Sequence, residues 1–372
     1  MLRPTRMEVH LGRIQENYRS IRSHVGARAQ VMGVVKANAY GTGMVPVASA
    51  LREAGCTRFA VATPEEALEL RRCGIGDPIL VMGASSADAA GELVAQDVAA
   101  TVADLSFAQV LSREATRQGR PARFHLKVDT GMGRIGFLPQ ELPSLLPELL
   151  ALGNLDFEGV FTHFATADEE RLDYTWTQFR RFGDVLEELR DRGVGVRLRH
   201  ACNSAALMRC PEMHLDAVRP GVILYGLRPS PGCPVPFPLS PAFEVKTSVA
   251  ALRELPPGSG VSYGLRYVTR GRERLAVLPL GYRDGYVRAL AGKAEVLILG
   301  HRVPVVGTIC MDQCLVDVTS LPEVCVGDEV VLLGRQGDRS IEAEEMARWL
   351  GTIVYEIPGL FSERVPRVHL ED

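Results

Sequence analysis

No uninterrupted apolar stretch in this chain reaches the roughly 18 to 20 residues of a membrane span, so a helical membrane protein is not expected. The opening Met1-Leu2-Arg3-Pro4-Thr5-Arg6 has no apolar h-region, so no secretory signal is expected. The eight cysteines (Cys56, Cys73, Cys202, Cys210, Cys233, Cys310, Cys314 and Cys325) contain no C-x-x-C pair, which argues against a zinc knuckle. Cysteines scattered in this way read as reduced, mostly buried thiols, and the expected compartment is the cytoplasm. There is no basic excess: 42 lysines and arginines face 45 acidic residues, giving a net charge of -3, which argues against a dedicated nucleic-acid binder. A G-x-x-x-x-G-K phosphate loop is also missing, so nucleotide binding by that route is unsupported.

What remains is a chain of 372 residues, 46% hydrophobic and 23% charged, with the composition of a globular protein and a length that predicts two domains. Residues 229 to 241 read PSPGCPVPFPLSP; six prolines exclude a helix or a central strand and suggest a stiff linker. Before it, strand-like runs ending near Lys36, Ala62, Met82, Val102, Lys127, His163, His200 and Val218 alternate with helical stretches such as Pro64 to Cys73 and Thr175 to Asp191. Such alternation predicts a parallel sheet with crossover helices. Eight units predict an α/β architecture closed into a (β/α)8 TIM barrel, with its active site at the C-terminal strand ends.

After the linker the period changes. Phe243 to Leu252, Arg274 to Leu280, Ala294 to Val306, Gln313 to Val318 and Glu329 to Leu333 are β-rich and separated by turn signals, which predicts a mainly antiparallel β domain. One helix, Ile341 to Leu350, follows. The expected division is a barrel over 1-232 and a β domain over 233-372. The first strand-like run, within residues 1-11, has no helix before it and is a candidate strand of the β domain.

The polar residues fall where a barrel places its catalytic groups. Lys36 ends the apolar run Gln30 to Val35 and is followed by Ala37-Asn38-Ala39-Tyr40-Gly41-Thr42-Gly43, where glycines allow close backbone approach to a ligand. Lys127 to Arg134 (KVDTGMGR) follows strand five, His163 ends strand six, His200 to Ser204 (HACNS) follows strand seven and Arg219 to Ile223 (RPGVI) follows strand eight. Two site types fit this rim. In a metal hydrolase, His125, Lys127, His163 and His200 would supply ligands to a metal pair. Against that, strand one offers Lys36 where a His-x-His would be needed, and convergent carboxylates are missing. In a pyridoxal-phosphate site, Lys36 supplies the imine and Ser204 and the Gly221-Val222-Ile223 backbone supply phosphate donors, with Arg219 toward the pyridine nitrogen. His125 alone also reads as a barrel-interior residue without a role, Tyr263 as a turn tyrosine, and Cys310 and Cys314 as packing residues. Arg283, Asp284 and Arg288 read as a solvated charged face.

VVKANAYGTG, KVDTGMGRIGF, THFATAD, HACNSAA, RPGVILYG, VSYG, PLGYRDGY and GTICMDQ closely resemble segments of the alanine racemases, in the family's order. The resemblance spans nearly the whole chain. It implies a pyridoxal 5'-phosphate barrel of fold type III plus a β domain, acting as a homodimer with composite active sites. The implied activity is two-base interconversion of L-alanine and D-alanine on a pyridoxal-phosphate imine, supplying D-alanine for cell-wall peptidoglycan. Lys36 is then the cofactor lysine and one base, and Tyr263 the other. Tyr40, His163, Asn203, Ser204, Arg219, Gly221, Ile223 and Tyr355 match cofactor-contacting positions. Arg134 and Met311 match positions that receive the substrate carboxylate, and Asp312 and Tyr282 line that pocket. His200 matches a residue supporting Arg219, and Lys127 one often carboxylated by carbon dioxide. A metal, a membrane and nucleic acid are not expected partners. Thr42, Thr308 and Val354 depart from the family pattern, which has His, Arg and Asn there.

Chemically, an amino acid Cα proton is too weakly acidic for a side-chain base unless the pyridoxal ring accepts the electron pair. Racemisation then needs one base per face. A tyrosine is a poor base unless cations favour its phenolate, and Arg134 is a candidate cation. An anionic, carboxylated Lys127 would hold Arg134 in place. Arginine at position 219 only donates, so it would leave the ring nitrogen unprotonated and favour racemisation over transamination. Other readings of the same residues are a racemase for serine or a basic amino acid, and a cofactor-carrying barrel protein without turnover.

Overall fold

This computed structural model of the protein describes residues 3-371; Met1, Leu2 and Asp372 lie outside the described residues. The chain divides into two compact units, one of residues 14-39 and 44-240, the other of the stretch up to Arg13, residues 40-43 and the chain from Pro241 onward. Against the expected break at 232/233, the units therefore part at 240/241, and residues 40-43 group with the C-terminal unit.

The larger unit is a closed parallel barrel. Its first strand comes in two pieces, Gln30–Val31 and Gly33–Val34. Seven more follow: Phe59–Val61, Ile79–Val81, Ala99–Val102, Ala122–Lys127, Leu155–Phe161, Leu198–His200 and Ala217–Val218. Closure is direct, because Ala217 and Val218 pair in parallel with Gln30 and Val31, while Gly33 and Val34 pair with Phe59 and Ala60 on the other side. Space at position 33 is tight: a Cβ there would lie 3.1 Å from Cys56 Sγ and 3.3 Å from Leu51 Cδ1, so these side chains would have to give by a few tenths of an ångström. The second to fourth strands are wholly buried runs, apolar but for Thr101, as a sheet covered by helices requires.

The crossover helices carry legible signals. Pro64–Arg72 starts at Thr63, whose hydroxyl oxygen accepts the Glu66 amide while Glu66 reaches back to the Thr63 amide, a capping box with proline in the first turn. Asp173–Asp191 turns Thr175, Gln178, Phe182, Val185 and Leu189 inward at helical spacing.

The second unit is a mainly antiparallel sheet. Its strands run in the order Ala251–Leu255, Glu273–Leu278, Cys314–Asp317, His301–Val306, Glu295–Ile298, Glu329–Gln336, Phe243–Ser248, Arg6–His10 and Arg367–Leu370. The N-terminal strand Arg6–His10 lies in this sheet, antiparallel to Phe243–Ser248 and parallel to Arg367–Leu370. The run expected over Ala294 to Val306 is a hairpin turning at Leu299 and Gly300, both with positive φ. A two-stranded ribbon, Gly260–Val261 with Tyr267–Val268, frames Tyr263.

Asp284 is not part of a solvated face. It is fully buried, accepts the Gly281 amide at 2.9 Å and pairs with Arg3 at 2.6 Å. Burial would raise its carboxyl, but these donors outweigh that and hold it below its usual value. The eight cysteines are all free thiols, and no helix among the described residues is long and apolar enough to cross a membrane.

Candidate active site

The barrel unit carries Lys36, Lys127 and Arg219 at its C-terminal strand ends. Lys36 follows the first strand and opens a turn in which Ala37, Asn38, Ala39 and Tyr40 all take left-handed backbone angles, φ 52 to 55°. Such a conformation costs a non-glycine residue about 1–2 kcal/mol, so four in succession persist only where the surroundings fix them. Here Glu66 Oε1 accepts the Ala37 amide at 2.6 Å, Val35 O that of Ala39 at 2.8 Å, and Asn38 Oδ1 that of Met44 at 2.7 Å. Glu66 thus caps a helix and fixes the lysine loop together, a role that sequence reading missed although the T-P-E-E capping signal was visible. Burial, then the nearby Arg134 charge, pushes the Lys36 amine below its ordinary value, favouring the neutral nucleophile.

Lys127 ends the fifth strand and is almost wholly buried. Its Nζ lies 4.9 Å over the Phe161 ring and 3.5 Å from Val128 O. Burial, assisted by the Arg219 and Arg134 charges, pushes its amine down to about 7. In the following loop, Asp129 Oδ1 accepts the amides of Gly131, Met132 and Gly133 at 2.9, 2.8 and 3.1 Å, and Oδ2 accepts that of Arg134 at 2.7 Å. This carboxylate is spent on the backbone that carries Arg134, whose side chain is exposed.

Arg219, only 3% exposed, donates to His200 Nδ1 at 2.7 Å, Thr162 O at 2.8 Å, Ala201 O at 2.9 Å and His163 Nδ1 at 3.3 Å. Every one of these acceptors is neutral. Burial lowers the guanidinium to about 10, still protonated near neutrality. His163 and His200 are held well below the usual histidine value by burial and by the Arg219 charge, so both imidazoles are neutral. Phe161 stacks on His200 with ring centroids 4.8 Å apart.

Beyond the seventh and eighth strands, Ser204 Oγ accepts the Gly221 amide at 2.9 Å, joining the two loops. Gly221 opens the short helix Val222–Tyr225, whose first amides have no partner within the turn. Asn203 serves as the N-cap of Ser204–Arg209, its Oδ1 accepting the Ala206 amide at 3.0 Å. Within the barrel unit the structure therefore brings Lys36, Lys127, Arg134, His163, His200, Asn203, Ser204, Arg219, Gly221 and Ile223 to one rim.

The remaining expected residues lie in the second unit. Tyr263 is 70% exposed at the tip of its ribbon. Ser262 before it has φ +62°, a strained angle, and its hydroxyl donates to Thr308 O at 2.5 Å while Thr308 Oγ1 donates to Tyr263 O at 2.8 Å. Thr308, a departure from the family pattern, is thus built into the turn that presents Tyr263. The Tyr282 and Met311 segments interlock: the Tyr282 amide donates to Cys310 O at 2.9 Å, and a Cβ at Gly281 would lie 2.1 Å from that oxygen. Asp312 pairs with Arg364 at 2.8 Å. Tyr355 sits in the short helix Val354–Glu356, and Tyr40 also groups with this unit.

The metal-hydrolase alternative does not fit this geometry. Both nitrogens of His200 are engaged, one by Arg219 and the other by His125 at 2.8 Å, so these histidines form a chain and do not converge. Among the described residues, Glu8, His10 and Glu244 are close enough to share an ion, but Lys246 Nζ already lies 2.7 Å from Glu8 and 2.9 Å from Glu244.

The family model for the alanine racemase N-terminal domain matches residues 9–229, and that for the C-terminal domain matches residues 242–369. The chain belongs to the alanine racemase family. It is 48% identical to an alanine racemase of Symbiobacterium thermophilum, over 99% of this chain and 97% of the relative. It is 45% identical to alanine racemase 2 of Caldanaerobacter subterraneus subsp. tengcongensis, over 99% and 95%. Among solved structures, an alanine racemase of Clostridium difficile 630 superposes with a TM-score of 0.95 at 40% identity, over 99% of this chain and 96% of that one. A histidine racemase of Leuconostoc mesenteroides shares the architecture at a TM-score of 0.91 and 30% identity, covering 99% and 98%.

Pyridoxal phosphate is the cofactor of the alanine racemase family. The residues present fit it. The rim carries Lys36, whose amine is lowered from its ordinary value, and a buried guanidinium whose hydrogen bonds go to no carboxylate, while Asp129 is occupied by backbone amides. A rim so short of negative charge suits anionic ligands such as a phosphate and a carboxylate.

Proposed function

We propose that this chain interconverts L-alanine and D-alanine with Lys36 and Tyr263 as the two bases. The observation that carries the reading is Arg219, a buried guanidinium whose hydrogen bonds all go to neutral acceptors at a barrel rim that also presents Lys36. When bound, pyridoxal phosphate makes the substrate Cα proton removable by taking up its electron pair. Lys36 would carry it and, once released, take or return the proton on one face. Tyr263 would act on the other.

Ser204 and the Gly221–Ile223 backbone would hold the phosphate, with Tyr40, Asn203 and Tyr355 around it and His163 beside the ring. Arg219, able only to donate, would leave the ring nitrogen unprotonated and so disfavour protonation at the wrong carbon. Arg134 and Met311 would receive the substrate carboxylate in a pocket lined by Asp312 and Tyr282.

Lys127 would be carboxylated. A buried lysine with its amine near 7 is partly neutral under physiological conditions, and a neutral amine adds carbon dioxide to give a carbamate with release of one proton. The anion would balance Arg134. Because Tyr263 sits exposed on the second unit, we further propose a homodimer in which that unit completes the partner's barrel site. The enzyme would work in the cytoplasm and supply D-alanine for peptidoglycan.

The same architecture in a histidine racemase means that side chains set the amino acid, and not the fold. The test is a D/L interconversion assay across alanine, serine, lysine, arginine and histidine. Preferential turnover of alanine supports the reading. Turnover of another amino acid without alanine would overturn the substrate and keep the reaction.

A further inference from the structure

The hydrogen bonds of Arg219 continue into the barrel. His200 Nε2 lies 2.8 Å from His125 Nδ1, His125 Nε2 lies 3.7 Å from Glu158 Oε2, and Glu158 Oε1 accepts from Arg58 Nη1 at 2.7 Å. His200, His125 and Glu158 are all buried. We infer that His125 and Glu158 are positioning residues for racemisation, acting on Arg219 through His200 as one oriented chain. The inference rests on the reading of the site given above.

The orientation follows from donor chemistry. A guanidinium has no acceptor, so His200 Nδ1 must be the unprotonated nitrogen. His200 is neutral, because burial and then Arg219 disfavour its charged form; its proton is therefore on Nε2. That proton faces His125 Nδ1, which must accept. Burial keeps His125 toward neutrality as well, with Glu158 opposing, and its proton is then on Nε2, facing the carboxylate. Both imidazoles point their lone pairs at Arg219 and their N–H groups away from it. The reverse tautomer of either ring would set N–H against N–H.

The far end supplies the bias. Burial would raise the Glu158 carboxyl, yet its neighbours hold it below its ordinary value, and Arg58, donating at 2.7 Å, keeps it ionised. An ionised carboxylate attracts the N–H of His125 even at a separation too long for a hydrogen bond. Polarised in sequence, the rings make His200 Nδ1 a better acceptor and so hold the Arg219 charge and its plane against the cost of burial.

The backbone is shaped to admit this chain. A Cβ at Gly159, next to Glu158, would lie 2.4 Å from His125 Nδ1. Between the fifth and sixth strands Phe124 pairs with Phe157 and His125 with Gly159, so Glu158 is the extra residue of a bulge beside His125.

The test uses the holoenzyme. Nitrogen-15 NMR of the imidazoles should show His125 and His200 neutral, each protonated on Nε2. Glu158→Gln should leave the tautomers as Arg219 sets them, because the guanidinium fixes both rings, but should weaken their polarisation and shift the absorption of the bound cofactor. His125→Phe strands the His200 proton and should lower kcat by about tenfold with KM for alanine nearly unchanged. His125→Gln, which can accept from His200 and donate to Glu158, should restore most of that loss. If His125→Phe does not fold, Glu158→Gln and the wild-type spectrum still decide. Nδ1 protonation of either ring in the wild type, or Glu158→Gln with unchanged absorption of the bound cofactor, overturns the inference. Should the wild type racemise nothing, the proposed function fails, while the tautomer pattern is still read on its own.

Discussion

Asp129 Oδ2 accepts the backbone amide of Arg134 at 2.7 Å, while Oδ1 of the same carboxylate accepts the three amides before it. One ionised side chain thus folds the loop that presents Arg134. Burial would raise its carboxyl, but the four amides outweigh that and hold it below the usual aspartate value.

Asp129→Ala should loosen the Arg134 loop. KM for alanine should rise more than kcat falls, and stability should drop by about 2 kcal/mol, read as a lower urea midpoint. Because the folded value is depressed, the contribution of Asp129 is present above the unfolded carboxyl range and is lost as pH falls through the folded value. The Ala variant should therefore lose less stability on acidification than the wild type; equal losses would contradict this.

Lys36→Ala should abolish the covalently held cofactor absorbance and nearly all activity. A cofactor still trapped by borohydride at another lysine would contradict the assignment. The loop should stay folded, since Glu66, Val35 and Asn38 fix it through groups other than the Lys36 side chain.

For Lys127 the sign of the pH effect is fixed by its lowered value. Below about 7 the amine is an ammonium ion and cannot add carbon dioxide; above it the neutral amine can. Carbamate occupancy should rise with pH through that value, seen as a carbon-13 signal after equilibration with labelled bicarbonate and absent in Lys127→Ala. Activity of Lys127→Ala should fall and recover in part with added acetate. A signal that does not depend on pH, or that persists in the variant, would contradict the carbamate.

Much of this was legible because barrel strands are short apolar runs that end in polar rim residues, as at Val34 to Lys36 and Leu126 to Lys127. Other features depend on long-range partners and left no local signal. The strand Arg367–Leu370 pairs with Arg6–His10 from the opposite end of the chain, and its RVHL is only half-buried. The left-handed turn after Lys36 contains no glycine at Ala37 to Tyr40, so nothing in composition announced it. His125 read as an interior residue without a role because its partners, His200 and Glu158, come from other strands. The candidate site residues came from the resemblance, which also divided them between a barrel and a β domain, but nothing in it announced that residues 40–43 group with the second unit.

Mixing homodimers of Lys36→Ala and Tyr263→Phe tests the shared site. With random reassortment about half the dimers are mixed, and each mixed dimer has one site with both mutations and one with neither. Activity should return to roughly a quarter of normal on this symmetry argument. If mixed dimers form and activity stays at the level of the separate variants, both bases come from one chain.

The most direct test of one base per face is Cα proton exchange with heavy water in Tyr263→Phe, followed separately for L-alanine and D-alanine. Lys36 remains, so exchange should survive for the one enantiomer that it deprotonates and be lost for the other. Net conversion should fall in both directions, because the equilibrium is set by the substrates alone. Equal loss of exchange for the two enantiomers would contradict the assignment of Lys36 and Tyr263 to opposite faces.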